Sequence, residues 1–429
     1  MFLHAGVVLI VIAVAFAIAR SLKLTTELSM FVAAIAGAVA HGAGIPVRHI
    51  VEGAFTYYDI CLIFITATFF MNLLKEAGGV SYIVRSIITT FHKHRLICLL
   101  LLTFVLLIPG ALTGAGAVTV LIVGTLVGTV LIYMGISETR TVAIIFLCAA
   151  MSAAAPPINL WAMMAAAGSN MPYVGFMQPL LVITVSGALL SMFILGWKGA
   201  AVDLEKALKE LPVPPEKMNW FRVGIPFGVF FALVMAGRIW PFHMPILGLP
   251  LMFLISALTV VLLSPKKLSI LKIATETIHQ LIPLVGIMVV VGILIQIMAL
   301  SGARGLISLA VVTLPLWVLF CTLFFILPWS EGLVQYAVAP LLGVPLVFLF
   351  NMKGLNPIIA LSGMAVMWPL GDCLPPTAVV GRAAVIELGY KGRYYRDFVK
   401  TCLVPMGCIL LICTLFIIYS KQLRFLAGG

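Results

Sequence analysis

Apolar runs long enough to cross a membrane alternate with short polar loops along the whole chain. Runs of this length and hydrophobicity predict membrane-spanning helices. In the first half they cover residues 2–19, 28–40, 54–74, 96–133, 141–167 and 173–197; in the second half they cover residues 221–236, 245–263, 273–300, 306–350, 357–388 and 398–419. A polar stretch separates the two halves. We therefore predict one membrane repeat over residues 1–197, a cytoplasmic linker over 198–219 and a second membrane repeat over 220–429.

The two halves match at a fixed spacing of 219 residues. At that spacing the pair Pro156-Pro157 stands opposite Pro375-Pro376, and Pro109 stands opposite Pro328. The runs 96–133 and 306–350 both carry proline and glycine at mid-length, which predicts a re-entrant hairpin that returns to its own side of the membrane. Each half then crosses five times. Because five is odd, we predict that the second half is inverted relative to the first.

Composition narrows the class of protein. Hydrophobic residues make up 63% of the chain and charged residues 9%, which excludes a soluble enzyme, a disordered chain and an outer-membrane barrel. The net charge of +12 does not indicate nucleic-acid binding, because the basic residues lie in short loops. With the N-terminus outside, nineteen fall in predicted cytoplasmic segments and six in external ones. This bias predicts a multi-pass inner-membrane protein with ten crossings and an uncleaved, N-out first helix.

Interruptions of the apolar runs mark the candidate site, because unpaired backbone at mid-membrane is costly unless a ligand, ion or water meets it. Two are hairpin tips, at residues 111–116 and 329–332, and two are proline breaks, at residues 152–159 and 371–377. Each break directs a partly positive half-helix N-terminus into the membrane. We predict that the substrate is bound by Thr113, Gly114, Gly116, Pro156, Pro157, Asn159, Pro375, Pro376, Thr377 and Arg382. We predict that the coupling ion is bound by Ser152, Ala155, Ser330, Glu331, Gly371 and Asp372.

Two acids stand out among these residues because most of the 14 acidic residues fall in loops. Charged groups at bilayer depth are expensive and usually functional, so Glu331 and Asp372 are expected to share a cation or a proton. A structural alternative pairs Asp372 with Arg382. Arg382 itself could hold a substrate carboxylate or extend to the cytoplasmic interface. A kink between packed helices is the alternative for each proline break.

Several short motifs are shared with a known family. They are Phe69-Phe70-Met71-Asn72 with Gly78-Gly79, Thr113-Gly114-Ala115-Gly116-Ala117, Pro156-Pro157, Glu331, Gly354-Leu355-Asn356-Pro357, and Gly371 with Pro375-Pro376. With these motifs the chain resembles the large membrane subunit of TRAP transporters, within the wider ion transporter superfamily. The resemblance implies an elevator-type transporter, a scaffold with a mobile transport domain, and sodium-coupled uptake of organic acids such as C4-dicarboxylates. It also implies a small membrane subunit, a periplasmic binding protein and an interfacial arm helix at residues 80–91.

The sequence thus predicts a secondary active transporter, or permease, for a small organic anion such as a dicarboxylate, working as a symporter coupled to Na⁺ or H⁺. A cation/proton antiporter of the same superfamily and a channel are the alternatives. An enzyme is not expected, because the sequence has neither a histidine-rich metal cluster nor a Ser/His/Asp set. No cofactor is predicted, and no metal other than Na⁺. The expected partners are the organic anion and the lipid bilayer, with a homodimer left open.

Overall fold

The computed structural model describes residues 2–240, 242–243 and 245–428, and over these residues it is helical, without a strand. The first half contains α1 (Phe2–Ser21), α2 (Thr26–His41), α3 (Val47–Phe55), α4 (Tyr58–Glu76), α5 (Gly79–Phe91), α6 (Arg95–Thr113), α7 (Gly116–Thr119), the π-helical turn Val120–Gly124, α8 (Thr125–Tyr133), α9 (Glu138–Ala154), α10 (Leu160–Gly168) and α11 (Met177–Gly196). The short helix α12 (Leu204–Glu210) lies in the linker.

The second half has a similar order of elements. It contains α13 (Trp220–Ile239), α14 (Leu249–Leu263), α15 (Ile270–Leu300), α16 (Ala303–Thr313), α17 (Leu316–Val334), the 3-10 turn Gln335–Ala337, the π-helical turn Ala339–Gly343, α18 (Val344–Met352), α19 (Pro357–Met367), the 3-10 segment Trp368–Cys373, α20 (Val379–Glu387), the π-helical turn Tyr394–Val399, α21 (Lys400–Ile418) and the 3-10 segment Gln422–Ala427.

The all-α polytopic architecture is confirmed. Nine helices of the described chain are long and apolar enough to cross a membrane, and four shorter apolar helices accompany them. Both proline breaks separate two helices, as predicted: α9 from α10, and α19 with its 3-10 extension from α20. The inversion of the second half stays a prediction. The order of elements is similar in the two halves, but the single helix α15 stands where the first half has α3 and α4.

One element differs from the expectation. We predicted a single broken run over residues 306–350, whereas the structure has a separate helix, α16, before the hairpin. Gly302 ends α15 with a φ of 76°, as Gly78 ends α4 with a φ of 89°, a left-handed conformation that favours glycine. α16 therefore occupies the place in the second half that the predicted arm helix, α5, occupies in the first.

The helices pack in two groups. One group joins α1 to α4 with α13 to α15, and α4 contacts α14 as α15 contacts α2. In this group α3 crosses α15 so closely that a methyl group built at Gly53 would lie 2.5 Å from the Cα atom of Ile293. The other group joins the two hairpins, the two broken helices, α11 and α21. Three of the predicted interruptions, at residues 111–116, 152–159 and 371–377, lie in this second group. The fourth is corrected: residues 329–332 belong to the end of α17, and the chain turns only after that helix, at Gln335 with a φ of 53°.

Candidate functional site

The first hairpin tip contacts the first proline break through the backbone. α6 ends at Thr113, and Gly114 turns the chain with a φ of 72°, which a residue with a side chain would adopt only with strain. The amide of Ile158, directly after the cis pair Pro156-Pro157, donates to the carbonyl of Ala111 over 3.1 Å. Backbone groups freed at the tip and at the break therefore satisfy each other.

The predicted polar site residues of the first half, Thr113, Ser152 and Asn159, are buried, and protein atoms satisfy them. Asn159 caps α10: its Oδ1 accepts from the amide of Ala162 over 2.9 Å and its Nδ2 donates to the carbonyl of Ala154 over 2.7 Å. Ser152 shares a 2.6 Å hydrogen bond with Thr119. Thr113 donates to the carbonyl of Pro109 over 2.8 Å. These contacts fix the half-helix ends on either side of the break.

The second tip and the second break meet in the same way. The hydroxyl of Thr377 donates to the carbonyl of Gly332 over 2.8 Å, and its amide donates to the same oxygen over 3.2 Å. A methyl group built at Gly332 would lie 3.3 Å from the carbonyl oxygen of Gly371. Glu331 and Asp372, each the chain neighbour of one of these glycines, are thereby held in adjacent, tightly packed backbone segments.

The two carboxyl groups are buried and incompletely partnered. Glu331 is fully buried; its Oε2 accepts from the indole nitrogen of Trp161 over 2.8 Å, whereas its Oε1 has no hydrogen-bond partner among the described residues. Asp372 is 5% exposed, and its carboxyl group makes no hydrogen bond or ion pair within the described chain. Since an isolated buried carboxylate is costly, these oxygens are suited to take a cation or a proton.

Other predicted site residues have different surroundings. Arg382 is exposed, and its guanidinium donates to the carbonyl of Pro376 over 3.4 Å. It does not pair with Asp372: the three ion pairs of the described residues are Arg48–Glu52, Lys206–Asp203 and Lys272–Glu276. Ser330 donates to the carbonyl of Leu327 over 2.8 Å.

Ala155 and Gly116 are buried. A methyl group built at Gly116 would lie 3.2 Å from the side chain of Val380 in α20. The first hairpin therefore contacts the broken helix of the second half, which brings elements of both halves together at the site.

Sequence reasoning missed three buried aromatic or amide side chains at this place. Trp161 bonds to Glu331, and its ring lies against that of Tyr336 with the centroids 4.7 Å apart and the planes inclined by 32°. Gln335 ends α17 with a φ of 53°, and its Oε1 is buried without a partner in the described chain. The signal for Trp161 was its position two residues after the cap Asn159, deep inside an apolar run rather than at its end.

Comparison with known proteins shows the fold. No family model matches the chain, and no curated protein matches it by sequence. Among solved structures, MtrF of Neisseria gonorrhoeae superposes with a TM-score of 0.61 at 15% identity, covering 87% of this chain and 83% of MtrF. The YdaH transporter of Alcanivorax borkumensis superposes with a TM-score of 0.60 at 13% identity, covering 89% of each chain. The chain therefore has the fold of multi-pass membrane transporters.

MtrF belongs to a class of antimetabolite efflux pumps, and YdaH is a transporter of unusual topology. The transporter fold implied by the sequence resemblance is thus supported at the level of membrane transporters, and its narrower assignment to the TRAP type is not.

Proposed function

We propose that the chain is a secondary active transporter of a small organic anion, coupled to Na⁺ or H⁺ through Glu331 and Asp372. The single observation that carries this proposal is the pair of buried carboxyl groups at a hairpin tip and a proline break, with free oxygen atoms. The surrounding apolar helices cannot neutralise the charge of the two carboxylates, but a cation or proton bound there does. Loading and release of that cation at alternate sides of the membrane would couple its gradient to substrate movement.

The substrate is expected at the neighbouring half-helix N-termini. α10 begins at Leu160 and α20 at Val379, each directly after a proline break, and unpaired amides at a helix start attract anions. A monocarboxylate or dicarboxylate placed there would lie beside the cation, so that each ligand lowers the cost of burying the other. Arg382 supplies further positive charge at the first turn of α20.

The test uses the purified chain reconstituted in proteoliposomes. Uptake of radiolabelled organic acids is measured with an imposed Na⁺ gradient, with an imposed pH gradient and with neither. Glu331→Gln and Asp372→Asn should each abolish gradient-driven uptake. Glu276→Gln is the matched control, because Glu276 is an exposed acid of α15 whose one partner among the described residues is Lys272. Wild-type uptake in both site variants would overturn the proposal.

A cation/proton antiporter is the second candidate, favoured by two carboxyl groups that lie in adjacent backbone segments and have no basic partner among the described residues. It predicts Na⁺-driven proton movement in the same vesicles without any organic substrate. A channel would instead give uptake that does not saturate and does not follow a gradient. These three outcomes are distinguished within one set of vesicles.

The direction of transport and the need for partners follow from two different likenesses. The TRAP-like motifs favour inward transport with a periplasmic binding protein and a small membrane subunit, whereas the likeness to MtrF favours export of an antimetabolite-like organic molecule. Gradient-driven uptake by the chain alone would argue against the TRAP arrangement. Accumulation in inside-out vesicles but not in right-side-out ones would favour export.

A further inference from the structure

A single hydrogen bond joins the two halves of the chain at the carboxyl group of Glu331. The donor, the indole nitrogen of Trp161, belongs to α10 in the first half, and the acceptor lies at the tip of the second hairpin, 170 residues away. Trp161 and Glu331 are both fully buried. The contact is therefore shielded from water, where a hydrogen bond to a charged group is stronger than at a surface.

The indole is held in place independently of this bond. Its ring packs on Tyr336, which is 5% exposed and belongs to the 3-10 turn directly after α17. The N–H group thus points at the carboxyl group because the ring is fixed, and a phenylalanine at position 161 could keep the packing while losing the donor. The bond and the packing can be separated by mutation.

We propose that Trp161 and the coupling cation compete for the carboxyl group of Glu331. This inference rests on the proposed coupling role of Glu331 and assigns to Trp161 the role of a positioning residue. In the empty site the indole holds Oε2 and keeps the tip of the second hairpin against the first-half break. When a cation or proton binds, the carboxyl group turns to it through the free Oε1, the indole bond weakens and the hairpin tip is released from α10.

Within the described chain, the indole of Trp161 is the one group that donates a hydrogen bond to the carboxyl group of Glu331. No basic side chain pairs with it there. The elements packed against α17 carry the following titratable or charged groups: Asp372 and Cys373 on the 3-10 segment, Tyr336 on the turn, and Lys400, Cys402, Cys408 and Cys413 on α21. Asp372 is the one acid among them. Its carboxylate would repel a negative charge on Glu331 and offers no hydrogen-bond donor to it.

The decisive variant is Trp161→Phe, tested on the purified full chain in detergent. Unfolding temperature is followed while NaCl replaces choline chloride at constant ionic strength, and separately across a pH series without Na⁺. Loss of the competing donor should lower the cation concentration at half-saturation roughly tenfold. A tenfold change corresponds to about 1.4 kcal/mol, which is at the lower end for a hydrogen bond to a charged group. If the proton is that cation, the midpoint of the pH series moves upward by about one unit.

Trp368→Phe is the matched control. Trp368 is also a fully buried tryptophan near the second break, but its indole nitrogen has no partner in the described chain. Its replacement removes no hydrogen bond and should leave the half-saturation unchanged. A merely structural role of Trp161 would lower the unfolding temperature of Trp161→Phe at every cation concentration without moving the half-saturation.

The outcomes separate the two proposals. An equal half-saturation in the wild type and in Trp161→Phe overturns the competition, and so does an equal shift in Trp368→Phe. If Glu331→Gln then still loses gradient-driven uptake, the proposed coupling role of Glu331 stands without the competition. If neither cation stabilises the wild type, the coupling role is overturned, and the competition with it.

Discussion

Replacing Gly371 by alanine should separate the second hairpin from the second break. A methyl group at this position would overlap the carbonyl oxygen of Pro328 and would lie 2.6 Å from its carbonyl carbon and 3.0 Å from its Cα atom. Ordinary carbon contacts are about 3.5–4.0 Å, so α17 and the 3-10 segment would have to move apart by about 1 Å. The opposing atoms are backbone and cannot rotate away, which places the cost at the upper end of the roughly 1–3 kcal/mol typical of overpacking.

The measurement is thermal unfolding of the purified protein, followed by gradient-driven uptake in proteoliposomes. Gly371→Ala should unfold at a lower temperature and transport slowly, because the same contact fixes Glu331 and Asp372 relative to each other. Gly407→Ala is the control: Gly407 lies in α21, and a methyl group there meets no atom within 4 Å. If Gly371→Ala matched Gly407→Ala in both measurements, the close approach of these segments could not be what positions the acids.

Two further predictions concern the second break and the linker. Thr377→Val removes the hydroxyl donor to the carbonyl of Gly332 while keeping the shape of the side chain. It should lower the free energy of unfolding by about 0.5–1.5 kcal/mol and slow uptake, whereas Thr377→Ser keeps the hydroxyl and should keep both. Equal uptake in the two variants would contradict this. In the linker, Asp203 caps α12 and pairs with Lys206 over 2.8 Å, which lowers the pKa of Asp203. Its stabilisation is therefore present above the ordinary pKa of an aspartate and is lost as the pH falls through the lowered value. The hydrogen-exchange protection factors of α12, which correct for the slower intrinsic exchange in acid, should fall on acidification in the wild type but not in Asp203→Asn, which keeps the cap.

The spans and breaks were predictable because the bilayer restricts the backbone severely. In lipid only a helix satisfies its own backbone groups, so each apolar run had to be helical. The pairs Pro156-Pro157 and Pro375-Pro376 interrupt such runs, whereas a single proline such as Pro283 lies inside a continuous helix. α16 was missed for a related reason. Its residues are apolar enough to merge with the following hairpin, and only Gly302 and Pro315 mark its two ends.

The site was predictable only in part. The sequence reveals a charged residue inside an apolar run, but it does not reveal which residue will form a hydrogen bond with it. Glu331 and Asp372 were conspicuous as charges inside apolar runs. Trp161 carries no such mark, since an indole in an apolar helix is ordinary packing until its partner is known. Likewise Ser152 was expected to serve an ion, whereas its hydroxyl is shared with Thr119, a residue without any signal of its own.

The polar groups of the two halves differ in whether protein atoms satisfy them, and this difference suggests a different role for each half. At the first break, neutral side chains are satisfied by nearby protein atoms, and a ligand could replace such hydrogen bonds at a net cost of only about 1 kcal/mol each. At the second hairpin and break, two carboxyl groups have free oxygen atoms, and burial makes their charge expensive until a cation or proton arrives. On the proposed function, the strong dependence on cation would therefore belong to the second half, while the first half would exchange ligands cheaply. Among the described residues of the first half, Trp161 is the one that forms a hydrogen bond with Glu331. If this hydrogen bond transmits cation loading from the second half to the first, the indole of Trp161 is the group that receives it.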